Sequence, residues 1–260
     1  MSLLKSIAIS FSLYSKIPMP IFEWDEDNYK HAIAFLPLIG AVIGFITYLA
    51  ALFCMEFEVP VFVSAALLTL VPLLVTGGFH FDGFMDVQDA LHSYQPREKK
   101  LEIMKDPHIG AFAVISAGGF LLIWLSSMYM IVFKAFEGDG SSAMFSAAGI
   151  YPLIRAFCGL TSILFPNAKK EGMLSVETGK SGKLDICILS VEGILAAAFM
   201  IWISLWTGVL MIVAALLFTA FYRHLCLKNF GGVTGDTAGF FVSCAEATLL
   251  ATLAVFCMFI

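Results

Sequence analysis

Charge is what this sequence has least of. Only 13% of its 260 residues are Asp, Glu, Lys or Arg, about half the share of a soluble domain, while 60% are apolar. Mean hydropathy is +0.90. Such a chain has too few polar side chains to face water over its whole surface, which excludes a soluble globule and makes it an integral membrane protein. Positive charge is scarcer still: 15 Lys and Arg stand against 20 acids, for a net charge of -5. With no basic face to offer, the chain is not a nucleic-acid binder. Cys54, Cys158, Cys187, Cys226, Cys244 and Cys257 include no CxxC pair and lie in or beside apolar runs. That scatter excludes a disulfide framework and a zinc site, and the cysteines read as small buried apolar residues. Repeats, low-complexity tracts and a soluble domain are also lacking, so residues 1–260 read as one membrane domain. The first segment, MSLLKSIAISFSLYSKIPMP, has about ten residues between Lys5 and Lys16. They are too few to span a bilayer and carry no persuasive cleavage site, which predicts an interfacial or re-entrant helix.

What is abundant is apolar runs of spanning length. A helix needs about 20 apolar residues to cross the hydrocarbon core, and the runs at 33–54, 59–77, 109–133, 143–165, 184–206, 207–222 and 238–259 predict an all-α bundle of about seven spans. The fifth and sixth are the least separable. Polar stretches remain at 23–31, 78–108, 166–183 and 223–236. Thirteen of the fifteen Lys and Arg precede the first span or follow the second, fourth and sixth; Lys134 falls on the other side and Arg155 inside a span. Cytoplasmic loops retain positive charge, so the N-terminus and the loops 78–108, 166–183 and 223–236 are predicted to be cytoplasmic. The short acidic turn at Glu56 and Glu58 then lies outside.

The densest chemical signal is TGGFHFDGFMDVQDAL, residues 76–91. Asp82, Asp86 and Asp89 are spaced i, i+4, i+7, which puts three carboxylates on one face of a helix, where like charges repel. A bound cation would relieve them, and hard carboxylate oxygens suit Mg²⁺, which takes one or two carboxylates plus substrate phosphates. Gly77, Gly78 and Gly83 permit close backbone approach by a phosphate. His80 is a candidate base or hydrogen-bond donor. A solvated polar helix at the membrane surface is the plainer alternative.

Next, REKKLEIMKDPHIGAF at 97–112 supplies Arg97, Lys99, Lys100, Lys105, Asp106 and His108. Its cations suit a polyanionic substrate, although Lys99 and Lys100 also read as ordinary membrane anchors. GGVTGDTAGFFVSCAE at 231–246 leads a glycine-rich turn, with Gly235 and Gly239, into the last span. Amides at a helix N-terminus attract anions, and Asp236 there is placed to complete a metal site. Arg155, Glu192 and Glu246 are ionisable residues inside spans, which are costly and therefore functional candidates. A structural bridge from Arg155 to Glu192 or Glu246 is the alternative. The stretch 165–183, with four lysines, reads as a lid over an anionic ligand or as an anchor.

These ingredients favour Mg²⁺-dependent phosphoryl or nucleotidyl-phosphate chemistry with an alcohol acceptor. GGFHFDGFMDVQDAL, LEIMKDPHIGAFAV and the terminal GDTAG together resemble the adenosylcobinamide-GDP ribazoletransferase family, also called cobalamin synthase. LYSKIPMP, FLPLIGAVIG, Arg155 in YPLIRAF and the KKEGM loop are similar to that family as well, so the resemblance covers much of the chain. Lys16 and Ser243 depart from its pattern, standing where an Arg and a second acid are expected. The resemblance implies a polytopic inner-membrane enzyme that joins adenosylcobinamide-GDP to α-ribazole or its 5′-phosphate and releases GMP, with Mg²⁺ and possible contacts to other cobalamin-assembly enzymes. On this sequence it implies that Asp82 and Asp86, with Asp89 or Asp236, hold the metal, and that His80 or an aspartate accepts the hydroxyl proton. Arg97, Lys105 and Arg155 would then stabilise phosphate charge, with Gly77, Gly78, Gly83, Asp106, Gly235, Gly239 and Glu246 around the substrate. A CDP-alcohol phosphotransferase, an ion-coupled transporter and a scaffold subunit are the competing readings.

Overall fold

The structure is a computed structural model that describes residues 3–20, 29, 31–137, 141–168 and 173–259. Most of the polar stretch 23–31, and Lys169 and Lys170 of the lid, lie outside the described residues. Among the described residues the regular structure is helical: α1 (Leu3–Tyr14), a 3₁₀ turn (Ala32–Phe35), α2 (Leu36–Glu56), α3 (Val61–Thr76), α4 (Phe79–His92), α5 (Arg97–Ile103), α6 (Ala111–Phe136), α7 (Ser141–Leu164), α8 (Met173–Lys180), α9 (Lys183–Ile203), α10 (Leu205–Asn229) and α11 (Gly235–Cys257). One isolated parallel bridge pairs Asn167 with Val233. The chain is a multi-pass helical membrane protein.

Six helices, α2, α6, α7, α9, α10 and α11, are long and apolar enough to cross a bilayer. Taken together α3 and α4 also qualify, but they are bent by 93°. The bend is built from Gly77 and Gly78, whose φ values of 64° and 80° lie in the left-handed region that a side chain disfavours. All the charge of the pair falls on α4. The apolar α3 therefore makes the crossing, and α4 turns off across the end of the bundle.

α7 and α11 form the centre, with 67% of each span buried against 17% for α9. Close packing in a bilayer relies on small residues, because lipid offers no hydrophobic drive between helices. Gly40 and Gly44, one turn apart on α2, supply it: a Cβ on Gly40 would stand 2.5 Å from the Tyr151 carbonyl of α7, and one on Gly44 would collide with that of Ala148. The outer surface is apolar, with Phe45, Phe62, Leu74, Trp202 and Trp206 exposed.

Three boundaries differ from the sequence expectation. The fifth and sixth spans part at Ser204, not after 206, because this extended residue (φ -156°) accepts a hydrogen bond from the Thr207 amide and starts α10. The flanking tryptophans gave no polar break to see. The sixth span runs on to Asn229, so Arg223 and Lys228 ride on its last turns. The polar stretch 78–108 holds the helix expected for its three aspartates, α4, and a second helix, α5, that the sequence did not set apart. α1, as expected, is too short to cross; it buries Ile9, Phe11 and Tyr14, and the Lys16 amide just beyond it donates to the Val75 carbonyl at the end of α3.

Candidate active site

α4 lies across the starts of two other helices. Its Gly83 faces the backbone of Asp236 in the first turn of α11, where an added Cβ would meet the Asp236 carbonyl at 2.7 Å. Reciprocally, a Cβ on Gly239 would meet the His80 carbonyl at 2.7 Å. These two glycines thus serve helix–helix contact, which corrects the expectation that they leave room for a phosphate: the opposing backbone fills that space. Gly78 and Gly235, by contrast, face open space, and Gly77 packs under the Lys16 side chain.

The crossing brings Asp82, Asp86 and Asp236 to one rim. Asp82 is exposed, while Asp86 and Asp236 are half-buried. Burial, then the charges of Asp82, Asp236 and Asp89, push the Asp86 carboxyl up to about 6. Asp89 is occupied differently. Its two oxygens accept the Gly110 amide at 2.7 Å and the Ala113 amide at 2.8 Å, which caps α6 from another element. A carboxylate at a helix N-terminus satisfies orphan amides and meets the positive end of the dipole. Both Asp89 oxygens are thus engaged in capping α6, which relieves part of the like-charge strain along α4.

Arg97, at the start of α5, reaches over to the glycine-rich turn before α11. Its guanidinium lies against Gly231 (φ 75°), where any Cβ would collide with it. Lys100 donates to the Asn229 side chain at 2.8 Å, tying α5 to the end of α10. The turn is fixed on its other side by Val233, whose amide donates to the Pro166 carbonyl. Thr234 and Thr237 close a capping box at the start of α11. Lys105 and Asp106 are exposed on the linker to α6, where Asp106 accepts the His108 amide at 3.0 Å and faces its ring at 2.6 Å.

Deeper in the bundle, Arg155 of α7 and Glu246 of α11 form an ion pair, with Arg155 1% and Glu246 2% exposed. Arg155 also donates to the Tyr151 carbonyl. The structural-bridge alternative describes this pair: each is buried against the other, while the Arg155 charge still reaches His80.

Sequence reasoning left three residues of this end unassigned. Lys16 lies against Gly77 and, with Ser12, Ser15 and Asp82, lines an open polar cavity of about 400 Å³. Tyr14 donates to Glu177 of α8 at 2.5 Å. His80 is buried, its ring stacked on that of Tyr14 with centroids 6.4 Å apart. Burial pushes its imidazole down to about 3. Glu177 carries no motif; only its position between apolar Leu174 and Thr178 on a short helix hints at burial.

Residues 6–254 match the family described as cobalamin-5-phosphate synthase. An adenosylcobinamide-GDP ribazoletransferase of Lachnoclostridium phytofermentans is 37% identical over 256 residues, covering 98% of this chain and 94% of the relative. One from Clostridium perfringens is 33% identical, covering 96% and 98%. One from a Geobacillus species is 31% identical, covering 87% and 86%. No solved structure matches. With a family match over nearly its whole length, the chain belongs to the cobalamin-5-phosphate synthase family.

Proposed function

We propose that this enzyme joins adenosylcobinamide-GDP to α-ribazole or α-ribazole 5′-phosphate, giving adenosylcobalamin or its 5′-phosphate plus GMP. The observation that carries the chemistry is the meeting of Asp82, Asp86 and Asp236 where α4 crosses the first turn of α11. In the reaction the acceptor hydroxyl oxygen bonds to the phosphorus next to the cobinamide. The bond from that phosphorus to the GMP phosphate breaks, and the hydroxyl proton leaves to a base.

Mg²⁺ is the cofactor that the donor set suits. Among the described residues no three His, Cys, Asp or Glu side chains converge at coordinating distance. Mg²⁺ does not require them to, since it is commonly held by one or two carboxylates and by substrate phosphates. Asp82, Asp86 and Asp236 are the residues to hold it. When bound, the ion neutralises the diphosphate and polarises its phosphorus. Arg97, over the glycine turn at 231, and Lys16, at the Gly77–Gly78 bend, supply fixed positive charge for phosphate oxygens on either side of the rim. His80 is the residue to accept the hydroxyl proton: burial keeps its ring neutral beforehand, and the negative charge of the diphosphate and of the aspartate rim is what offsets its depressed basicity during the reaction. The rim is open, as a corrinoid of great bulk demands.

The site works on the cytoplasmic side of the cell's inner membrane in this reading, supported by the basic residues Lys16, Arg97, Lys99, Lys100, Lys105, Lys183 and Lys228 at the site's end of the bundle. The ion-coupled transporter is not favoured, since two of the three residues of its relay, Arg155 and Glu246, pair with each other.

The test uses membranes containing the protein, supplied with adenosylcobinamide-GDP and α-ribazole 5′-phosphate while GMP is followed with and without Mg²⁺. Asp82→Asn should lower turnover by about 100-fold or more, a few kcal/mol of transition-state stabilisation, with the protein still inserted. Full GMP release from that variant, or release indifferent to chelation, would overturn the metal site; release of CMP from a CDP-alcohol substrate in its place would move the chain to that chemistry.

A further inference from the structure

Beneath the acidic rim lies a small cavity of about 30 Å³, whose lining includes Tyr14, Ile33, His80, Ser162, Glu177 and Gly239. Two buried polar atoms among these residues have no hydrogen-bond partner: His80 Nδ1 and Glu177 Oε1. Neither residue can look elsewhere, with His80 6% and Glu177 0% exposed. The other Glu177 oxygen is engaged by the Tyr14 hydroxyl at 2.5 Å, the Ile33 amide stands near the carboxyl without a hydrogen bond to Oε1, and the Tyr14 ring stacks on the imidazole. Orphaned buried polar atoms of this kind are rare and are normally served by a water. A water needs roughly 10–15 Å³ of such space and two to four polar partners. The cavity has the room, and His80 Nδ1 and Glu177 Oε1 are two partners for it.

We infer that this cavity holds one ordered water bridging Glu177 Oε1 to His80 Nδ1, and that Glu177 is thereby the positioning residue for His80. Once Glu177 has lost its proton, above about pH 7, it is a carboxylate and only accepts hydrogen bonds. The water must then donate to Glu177 and accept from the ring, which places the imidazole proton on Nδ1. Nε2 is left with its lone pair as the proton acceptor. The hydrogen bond at one ring nitrogen thus decides what the other can do. Tyr14 enforces the arrangement by claiming Oε2 and holding the ring plane. The inference rests on the reading of His80 as the proton acceptor, and extends it to a residue on a helix that sequence reasoning took for part of a lid.

Glutamine at 177 separates this role from a merely structural one. Its single acceptor oxygen stays with the Tyr14 hydroxyl, so its NH₂ faces the cavity and the bridging water turns to donate to Nδ1. The ring tautomer then reverses while the packing is kept. The measurement is ¹⁵N NMR of the full-length protein in lipid nanodiscs at about pH 8, with ring-labelled histidine and the His80 signal assigned by its loss in His80→Gln. The expected wild-type signal is the Nδ1–H tautomer, shifting to Nε2–H in Glu177→Gln. Alongside it, kcat should fall about tenfold with KM little changed, and Glu177→Asp should restore part of the loss. An Nε2–H tautomer in the wild type, or the same tautomer in both proteins, overturns the inference; the wild-type spectrum alone suffices if the variant does not fold. Full activity of His80→Gln would instead remove His80 as the proton acceptor while leaving the tautomer result standing, so the two failures are distinguishable.

Discussion

A buried carboxyl whose neighbours only half favour its charge makes stability depend on pH. Burial is the largest influence on Glu177 and Asp185 of α9 adds to it, so the carboxyl is pushed up to about 7 despite the Tyr14 hydroxyl and the Ile33 amide. Tyr29 and Cys158 are the other ionisable groups that feel its charge. Because the folded state holds this proton more tightly than the unfolded chain, the contribution is fully present below the ordinary 4.5 and is lost as pH rises through about 7. The difference is worth about 3 kcal/mol at 1.36 kcal/mol per pH unit. Thermal unfolding of the detergent-solubilised protein should therefore show wild type losing stability between about pH 4.5 and 7.5 relative to Glu177→Gln. Parallel curves for the two proteins would sink the assignment. Asp82, Asp86 and Asp236 could be picked from the sequence because helical spacing and a glycine-rich turn announce them. Glu177 could not, since its environment is made by Tyr14 and Ile33, more than 140 residues away.

Among elements, α4 carries the greatest consequence, because it is at once the acidic strip and the clamp on two helix starts. The i, i+4, i+7 spacing told correctly that the three aspartates lie on a helix; it could not tell that the third points to the start of α6. That depended on a partner 21 residues on, reached only through the turn around α5. The same holds for Gly83 and Gly239, whose need for close approach was legible while the approaching group was not: it is each other's helix, not a ligand. Asp89→Ala should then behave as the loss of a charged cap, destabilising the protein by about 1–3 kcal/mol. Amide exchange at Gly110 and Ala113 should speed up, and the Mg²⁺ concentration needed for half-maximal turnover should stay near wild type. Unchanged exchange at those amides together with a large rise in the Mg²⁺ requirement would return Asp89 to the metal.

At the scale of the whole molecule, contacts settle which helix ends share a face. Lys16 bonds to the end of α3, Asp89 to the start of α6, and Asn167, past the end of α7, pairs with Val233 before α11. His31, before α2, meets Asp185 in the first turn of α9 at 2.6 Å. Lys100 joins the end of α10 to the same end. The starts of α2, α6, α9 and α11 and the ends of α3, α7 and α10 thus gather at one polar face, which requires α3 to return the chain across the bundle and gives seven crossings. Span count and the sharing of a face were legible from apolar run lengths and from where the basic residues fall; the break at Ser204 was not, since apolar side chains continue through it. The basic residues favour the cytoplasm for this face. Cysteines introduced at Glu58, in the α2–α3 turn, and at Glu137, after α6, in a Cys187→Ser background should react with a membrane-impermeant maleimide in intact cells. A cysteine at Gln95, between α4 and α5, should react only after the membrane is opened. The reverse pattern would turn the bundle over and put the aspartate rim outside.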